Sequence, residues 1–561
     1  MVLDDFERAD AIFILGQNPG TNSPRMMTEL HNASRRGAPI IVFNPLKERA
    51  LQRFAAPQDP IEMATFGSTR IASEYCQVRV GGDVAALKGI MKLVLEADDA
   101  ARNAGQPSVL DRAFIAEHTE GFEAFAADLR KTAWDEILAS SGLPRAQLER
   151  VAWTYMQSKA VITCYGMGIT QHKLGTDTVQ QVANLLFLRG NIGRPGAGIC
   201  PVRGHSNVQG DRTVGIDEKP NAVFLDRLGR AFDFDPPRAH GHNVVRAIEA
   251  MLDGRAKVFV GMGGNFVAAV PDKPLVETAM RKLRLTVGVT TKLNRAHLIH
   301  GPEALILPCL ARSEIDFQKS GPQSVTVEDS MSMVHASGGL LSPASEHLKS
   351  EVAIVCGMAR ATLTDTTIDW QSFEDDYDLI RDKIEEVFPD LFTDFNARIR
   401  KPGGFRLPNG ASERVWRTSI GKARFILFRR VDEDPPVPHP EMLRLATIRS
   451  HDQYNTTIYS MNDRYRGVYG TRTVIFMNKD DMVARGIAPQ APVEILALSE
   501  DRVDRRVRGF TALPYDLPRG CVAAYYPETN SLLALAHHDR KSQTPAAKSI
   551  PVLVRAMAGH G

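Results

Sequence analysis

The chain alternates short, continuous apolar runs with glycine-bearing turns and amphipathic stretches. Residues 11–15 (AIFIL) are apolar without interruption, the pattern of a parallel strand buried on both faces. GQNPGTN follows. Ser23-Pro24 then predicts a helix cap and first helical residue, and Met26, Met27, Leu30 and Ala33 recur at helical spacing up to Gly37. Residues 39–43 (PIIVF) predict a second strand. Residues 11–45 therefore read as a βαβ unit, with a glycine loop between the first strand's carboxyl end and the helix's amino end.

The pattern returns with variation. Residues 77–80 predict a strand, Gly81-Gly82 a turn, and Asp83 the cap of a helix with Leu87, Ile90, Met91, Val94 and Leu95 on one face. A strand over 160–165 precedes Gly166-Met167-Gly168 and a helix over 177–189. The Gly/Pro-dense stretch 190–210 predicts an ordered loop. A further α/β section has strands at 257–261, 285–289 and 304–307 and a helix near 274–283. Residues 366–440, charged and proline-punctuated, predict a connecting region. From Leu443 the period shortens and β-branched residues rise (VIFM, PVEILAL, RRVRGFTAL, CVAAYY), which predicts a β-rich domain, a barrel.

At 561 residues the chain is long enough for roughly three to four domains. Lys+Arg 68 against Asp+Glu 66 leaves a formal charge of +2, so charge gives no case for nucleic acid or an anionic membrane. No apolar run reaches the roughly 18 residues of a spanning helix. The acidic start, MVLDDFERAD, lacks the basic and apolar segments of a secretory leader. Six cysteines without a C-x-x-C pair exclude a disulfide scaffold, a zinc finger and a self-contained iron–sulfur motif. These features predict a reduced, cytoplasmic, multidomain enzyme. Cys164 and Cys309 are expected to be packing residues, and Cys200 the one at the surface.

Glycine turns after strands, at Gly16, Gly81-Gly82, Gly166/Gly168 and Gly263-Gly264, bring bare backbone and helix amino ends where a phosphate can approach. Glycine is also what strand–helix turns need for geometry alone. G-x-G-x-x-G with a distal acid and the P-loop pattern are both absent, which argues against a nicotinamide dehydrogenase and a P-loop enzyme. The loop CPVRGHSNVQG, 200–210, gathers Arg203, His205, Asn207 and Gln209. Arginine's planar fork suits an anion and an imidazole moves protons near neutrality; the same composition also makes a solvated loop. Polar clusters at 451–457, 462–466, 526–530 and 537–545 fall where a barrel has loops, whether as ligand contacts or as capped turns. His537-His538 lacks the spacing of a metal pair.

In order, these motifs resemble those of the prokaryotic molybdopterin-containing oxidoreductases, formate-dehydrogenase-like branch. GQNPGTNSP resembles the family's strand–loop segment, and GAPIIVFNPLKE its Gly-Ala-x-Ile-Ile-Val-x-Asp-Pro-Arg motif. The stretch 166–210 resembles the long segment linking the two pterin halves, and the tail, with RSHDQYNTTIYSMNDRYRGVYG and AYYPETN, the dinucleotide-binding barrel. The resemblance runs from about residue 9 to 555. It implies an α/β fold of several Rossmann-like parallel-sheet domains plus a C-terminal, double-psi-like β-barrel. The implied domains are 1–205, a molybdopterin-binding α/β domain; 206–365, a second α/β domain whose first half precedes this sequence; the connection 366–440; and 441–561, the barrel.

The resemblance also implies a bis(molybdopterin guanine dinucleotide) cofactor with molybdenum or tungsten, two-electron chemistry on a small anion, and a [4Fe–4S] cluster. Cofactor contacts would fall at Gly16, Gln17, Asn18, Pro19, Asn44, Gly82, Asp83, Gly166, Gly168, Gln171, Asn207, Gln209, Gly263, Gly264 and Asn265. In the tail they would fall at His451, Asn455, Thr456, Thr457, Tyr526, Glu528 and Asn530. Arg203 falls where the family orients substrate. His205 stands where glutamine is common, and Asn44 and Leu46 replace the Asp and Arg of the family motif. The family's cluster cysteines and metal thiolate come before the GQNP segment, so no metal or cluster ligand is assigned here. The implied partners are the small anionic substrate and an electron-transfer subunit or separate iron–sulfur segment. The alternative is a non-catalytic or truncated cofactor-binding protein.

Overall fold

The computed structural model describes residues 1–433, 438–456 and 458–557. The chain forms two units, one from Met1–Val202 with Gly410–Gly561 and one from Arg203–Asn409. Residues 366–440 are thereby divided, joining the second unit up to Asn409 and the first from Gly410.

The first unit begins with a parallel sheet of β1 (Ala11–Leu15), β2 (Ile40–Phe43), β3 (Glu74–Cys76), β4 (Val161–Tyr165) and β5 (Gly198–Pro201), in the order β3-β2-β1-β4-β5. β1 is buried at every position because helices cover both faces, which is why AIFIL needs no polar alternation. On one face Phe13 and Leu15 pack with Leu87, Ile90 and Val94 of the helix Asp83–Asn103 and with Tyr155 of Arg145–Gln157. Each such fully buried aliphatic side chain contributes about 1.5–3 kcal/mol.

Three local expectations are corrected. The third strand is Glu74–Cys76 rather than 77–80: Val78 N turns back to Cys76 O at 2.9 Å, and Val80 N is satisfied by Cys521 Sγ of the barrel at 3.3 Å. GQNPGTN winds into a helical turn, Pro19–Asn22, and the longer helix begins at Met26, beyond Ser23. Within 190–210 the sheet takes up β5, pairing Cys200 with Cys164, so Cys200 is buried rather than exposed.

The second unit contains the parallel strands β6 (Val258–Met262), β7 (Leu285–Thr290) and β8 (Glu303–Pro308), ordered β8-β7-β6, with helices Val244–Leu252 and Lys273–Arg281. It also holds an antiparallel sheet of Val325–Glu328, Met333–Ser337 and Phe405–Arg406.

The tail closes into a six-stranded barrel of β9 (Leu443–Ile448), β10 (Val474–Met477), β11 (Pro492–Ala497), β12 (Arg506–Pro514), β13 (Cys521–Tyr525) and β14 (Ile550–Ala556), ordered β9-β13-β10-β12-β11-β14. Parallel pairs (β9 with β13, β10 with β12) mix with antiparallel ones. Its interior is apolar: Leu445, Ile475, Val493, Ile495, Val522 and Val552 are fully enclosed. Among the described residues no helix is long and apolar enough to cross a membrane.

Candidate cofactor site

Strands β2 and β3 continue to one side of β1, β4 and β5 to the other. The carboxyl ends of β1 and β4 therefore flank the point where strand order reverses, the usual ligand crevice of an open α/β sheet. Two glycine turns interlock there. Gly16 lies at φ +56°, and Gly168 N donates to its carbonyl at 2.9 Å. A Cβ on Gly16 would stand 2.6 Å from Gly168 C, and one on Gly168 2.6 Å from Gly16 Cα. Both positions demand glycine because backbone meets backbone. Beside them Gln17 Oε1 and Asn18 Oδ1, with Thr21 Oγ1, are buried without a hydrogen-bond partner. Pro19 opens the short helical turn, and Asn44 donates to Gln17 O (3.3 Å) while its own oxygen accepts from Leu46 N (3.0 Å).

A buried acid–base group adjoins this turn. A Cβ on Gly82 would meet Ser140 O at 2.7 Å, and Asp83 is the first residue of the helix that Gly82 caps. Asp83 is buried and its Oδ1 has no partner; burial pushes its carboxyl up to about 6, against the pull of His172. His172 Nε2 donates to Gly168 O at 2.7 Å, while its Nδ1 stands 3.7 Å from Glu433 Oε1. Burial works against charge on both of that pair, yet their mutual attraction prevails: Glu433 is held at about 2 and His172 is raised. Gln171 O accepts from Lys548 N at 3.0 Å, which ties the turn after β4 to the barrel.

The barrel loops supply the cations. Arg449 and Lys548 form no ion pair among the described residues. Burial, and then Arg449, push the Lys548 ammonium down to about 7; Lys548 Nζ donates to Thr447 O. Burial lowers Arg449 too. Two neighbouring, desolvated cations with no carboxylate in ion-pair contact among the described residues, Glu48 acting on Lys548 only from further off, are costly alone and favourable around an anion. Arg472 organises the other loop contacts, donating to Glu528 Oε1 (2.6 Å), Gln453 Oε1 (2.9 Å) and Tyr526 O (2.9 Å). Tyr526 Oη reaches Asn455 Oδ1 at 2.9 Å, and Thr456 and Asn530 are buried in the same loops. Glu528 is thus committed to Arg472, and Thr457 lies outside the described residues.

The remaining candidates belong to the second unit. Arg203 and His205 are exposed on its first loop; Arg203 Nη2 stands 3.5 Å from Gln209 Oε1. Gln209 Nε2 donates to the buried Glu328 at 2.7 Å, and Asn207, at φ +63°, accepts from Glu328 N at 3.0 Å. Those amides fasten the loop to the strand Val325–Glu328 beneath Arg203. Gly263 and Gly264 follow β6 at φ +67° and +71°, and a Cβ on either would meet nothing within 4 Å. Asn265 Oδ1, next in sequence, is buried and unpartnered.

Sequence patterns missed His172, Glu433, Arg449 and Lys548. Glu433 sits in the stretch expected as a connection, and the other three lie among ordinary polar neighbours, so only tertiary packing singles them out. One group has metal-like spacing among the described residues, His31, Asp59 and Glu62. Its atoms are engaged by Thr69 and Arg35, and no ion is assigned to it.

Comparison with known proteins agrees with this arrangement. Residues 2–297 match the molybdopterin oxidoreductase family, and 443–551, coincident with the barrel, match the molybdopterin dinucleotide binding domain. The chain is 51% identical over 554 residues to Protein YdeP of Escherichia coli O6:H1, covering 98% of this chain and 73% of that protein. Formate dehydrogenase H of Escherichia coli K12 is 26% identical over 294 residues, 51% of this chain and 37% of that one. Acetylene hydratase from Pelobacter acetylenicus shares the fold with a TM-score of 0.67 at 12% identity, covering 98% of this chain and 78% of that one. The chain belongs to the molybdopterin oxidoreductase family.

Proposed function

We propose that this protein is a formate-dehydrogenase-like oxidoreductase that carries two molybdopterin guanine dinucleotides with molybdenum or tungsten and acts on a small anion. The observation that supports it most is a set of buried polar groups whose hydrogen-bonding capacity the chain itself does not use. Unpartnered buried acceptors at Gln17 and Asn18 adjoin the interlocked Gly16 and Gly168, Asp83 lies within electrostatic reach of the His172 that bonds Gly168 O, and two cations without an ion pair among the described residues, Arg449 and Lys548, stand on the barrel loops. Acceptors of this kind suit the N–H edge of a purine, and the cations suit phosphate oxygens. The residues therefore fit a dinucleotide. When bound, the metal–pterin group supplies the two-electron chemistry.

The chain's own residues would do the rest. Asp83, Gln17 and Asn18 would hold the base, and Arg449 with Lys548 would offset phosphate charge. In the second unit Arg203, steadied by Gln209, would orient the substrate anion, and His205 would move a proton. Electrons would pass to an electron-transfer subunit or an iron–sulfur segment.

The test is composition. Molybdenum, tungsten and iron are measured by mass spectrometry, and GMP by acid hydrolysis, on the purified chain. We expect about two GMP and about one molybdenum or tungsten per chain. Neither metal nor GMP in a properly matured preparation would refute the reading in favour of a protein that keeps the fold without the cofactor.

A further inference from the structure

The loops after β9 hold a second buried network, centred on Arg466 and Asp463, and it includes His451, one of the positions where the resemblance implies a cofactor contact. Arg466, with a side chain 2% exposed, donates through Nη2 to both oxygens of Glu48 at 2.8 Å and through Nη1 to Asp463 Oδ2 at 2.9 Å. The Tyr525 hydroxyl donates to that same oxygen at 2.9 Å. The other oxygen, Asp463 Oδ1, accepts from His451 Nδ1 at 2.7 Å. A carboxylate can only accept, so this bond fixes the proton on Nδ1 and leaves Nε2 as the working nitrogen. Nε2 is buried and has no hydrogen-bond partner. Its ring packs against Tyr465, centroids 4.7 Å apart. An imidazole oriented through Nδ1 by a buried carboxylate, with Nε2 uncommitted, is the arrangement of a proton-transfer residue.

His451 forms part of the wall of a cavity of about 260 Å³, together with Lys47, Glu48, Arg49, Tyr515 and Asp516. The charges around the ring sort as follows. Glu48 Oε2 stands 3.8 Å from Nε2, but that carboxylate is taken bidentately by Arg466. Arg466 Nη1 lies 3.5 Å from Nδ1. Asp516 is paired with Lys47 at 2.7 Å. Arg49 is exposed and forms no ion pair among the described residues. Among the described residues the wall therefore leaves one guanidinium, that of Arg49, without an ion pair, and one ring nitrogen, His451 Nε2, without a hydrogen bond.

We propose that this pocket binds a small oxyanion against Arg49 and that His451, oriented by Asp463, takes up a proton at Nε2 as the anion enters. The proton comes from solvent, the product is an imidazolium–oxyanion pair, and departure of the anion returns the proton. No other bond changes. The proposal goes beyond the redox reading and does not depend on it, because every residue invoked is supplied by the loop after β2 and by the barrel.

The experiment is isothermal titration calorimetry on the full chain at neutral pH, with acetate and, separately, inorganic phosphate. Each runs in two buffers of different ionisation enthalpy, which yields the protons taken up per anion bound. We expect saturable binding of one anion with fractional proton uptake. His451→Gln should abolish the uptake and weaken binding about tenfold, the scale of one charge-assisted hydrogen bond. Arg49→Gln should weaken binding comparably while the unfolding midpoint stays in place, since Arg49 is exposed and forms no ion pair among the described residues. Stronger binding of acetate or of phosphate identifies the class of oxyanion. No saturable heat with either anion, or unchanged uptake in His451→Gln, overturns the proposal. So does binding confined to molybdenum-free samples, since that would mean the cofactor itself fills the pocket. GMP content, measured in parallel, reports on the redox reading separately.

Discussion

Asp83 should cost the cofactor-free protein stability, and Asp83→Asn should return it. Burial raises the Asp83 carboxyl from 3.8 to about 6, a shift worth roughly 3 kcal/mol. For an acid raised in the folded state, the folded form binds the extra proton, so stability falls as pH rises through the interval. Below 3.8 both states are protonated and Asp resembles Asn; from there to about 6 the wild type loses ground, and above 6 the full penalty applies. One effect opposes the gain. Asp83 opens a 21-residue helix, where a negative charge is favourable by about 0.3–1 kcal/mol. Burial outweighs it, which leaves a net gain of about 2 kcal/mol for Asp83→Asn at pH 8 and none near pH 3.5. The assay is urea unfolding of cofactor-free wild type and variant at matched pH. A variant equal to or weaker than wild type at pH 8, or a difference independent of pH, refutes the argument. The same substitution should reduce bound GMP, because it replaces the acceptor proposed to hold the base.

Gly168→Ala places a methyl group 2.6 Å from Gly16 Cα, where backbone cannot yield, so we expect a loss of about 1–3 kcal/mol in urea unfolding together with loss of bound GMP. Arg466→Met leaves Glu48 and Asp463 buried without their cation and should cost about 3–5 kcal/mol; adding Glu48→Gln and Asp463→Asn should recover part of it, and no recovery would show that packing rather than charge was lost.

Much of the architecture is legible in the sequence because its signals are local. AIFIL, PIIVF and VIFM are continuous apolar runs, and each becomes a fully buried strand. Residues 77–80 mislead because QVRV alternates like a strand while its buried valines are covered by contacts from the barrel and neighbouring helices, not by the sheet. Cys200 misleads because a glycine-rich surrounding hides a strand completed only by pairing with β4. The turns at Gly16 and Gly168 are visible as glycines, but their mutual contact is not, since it joins residues from two strands. The charged part of the site is the least legible. Whether Glu433, Lys548 or Arg466 is solvated or buried is decided by partners hundreds of positions away.

That distance also sets the order in which the protein can be made. The sheet of the first unit is complete in sequence by Pro201, yet Leu46 packs against Ile448 and Phe476, and Val80 against Ala446 and Cys521. The whole second unit, Arg203–Asn409, is synthesised between those two halves. At elongation rates of about 5–20 residues per second the nascent sheet waits roughly 12–48 s before its barrel strands begin to emerge at Leu443. During that interval it carries an unfilled apolar face and an unpaired Glu48. Ribosome-bound chains stopped near residue 410 should therefore depend on chaperones that full-length chains no longer need.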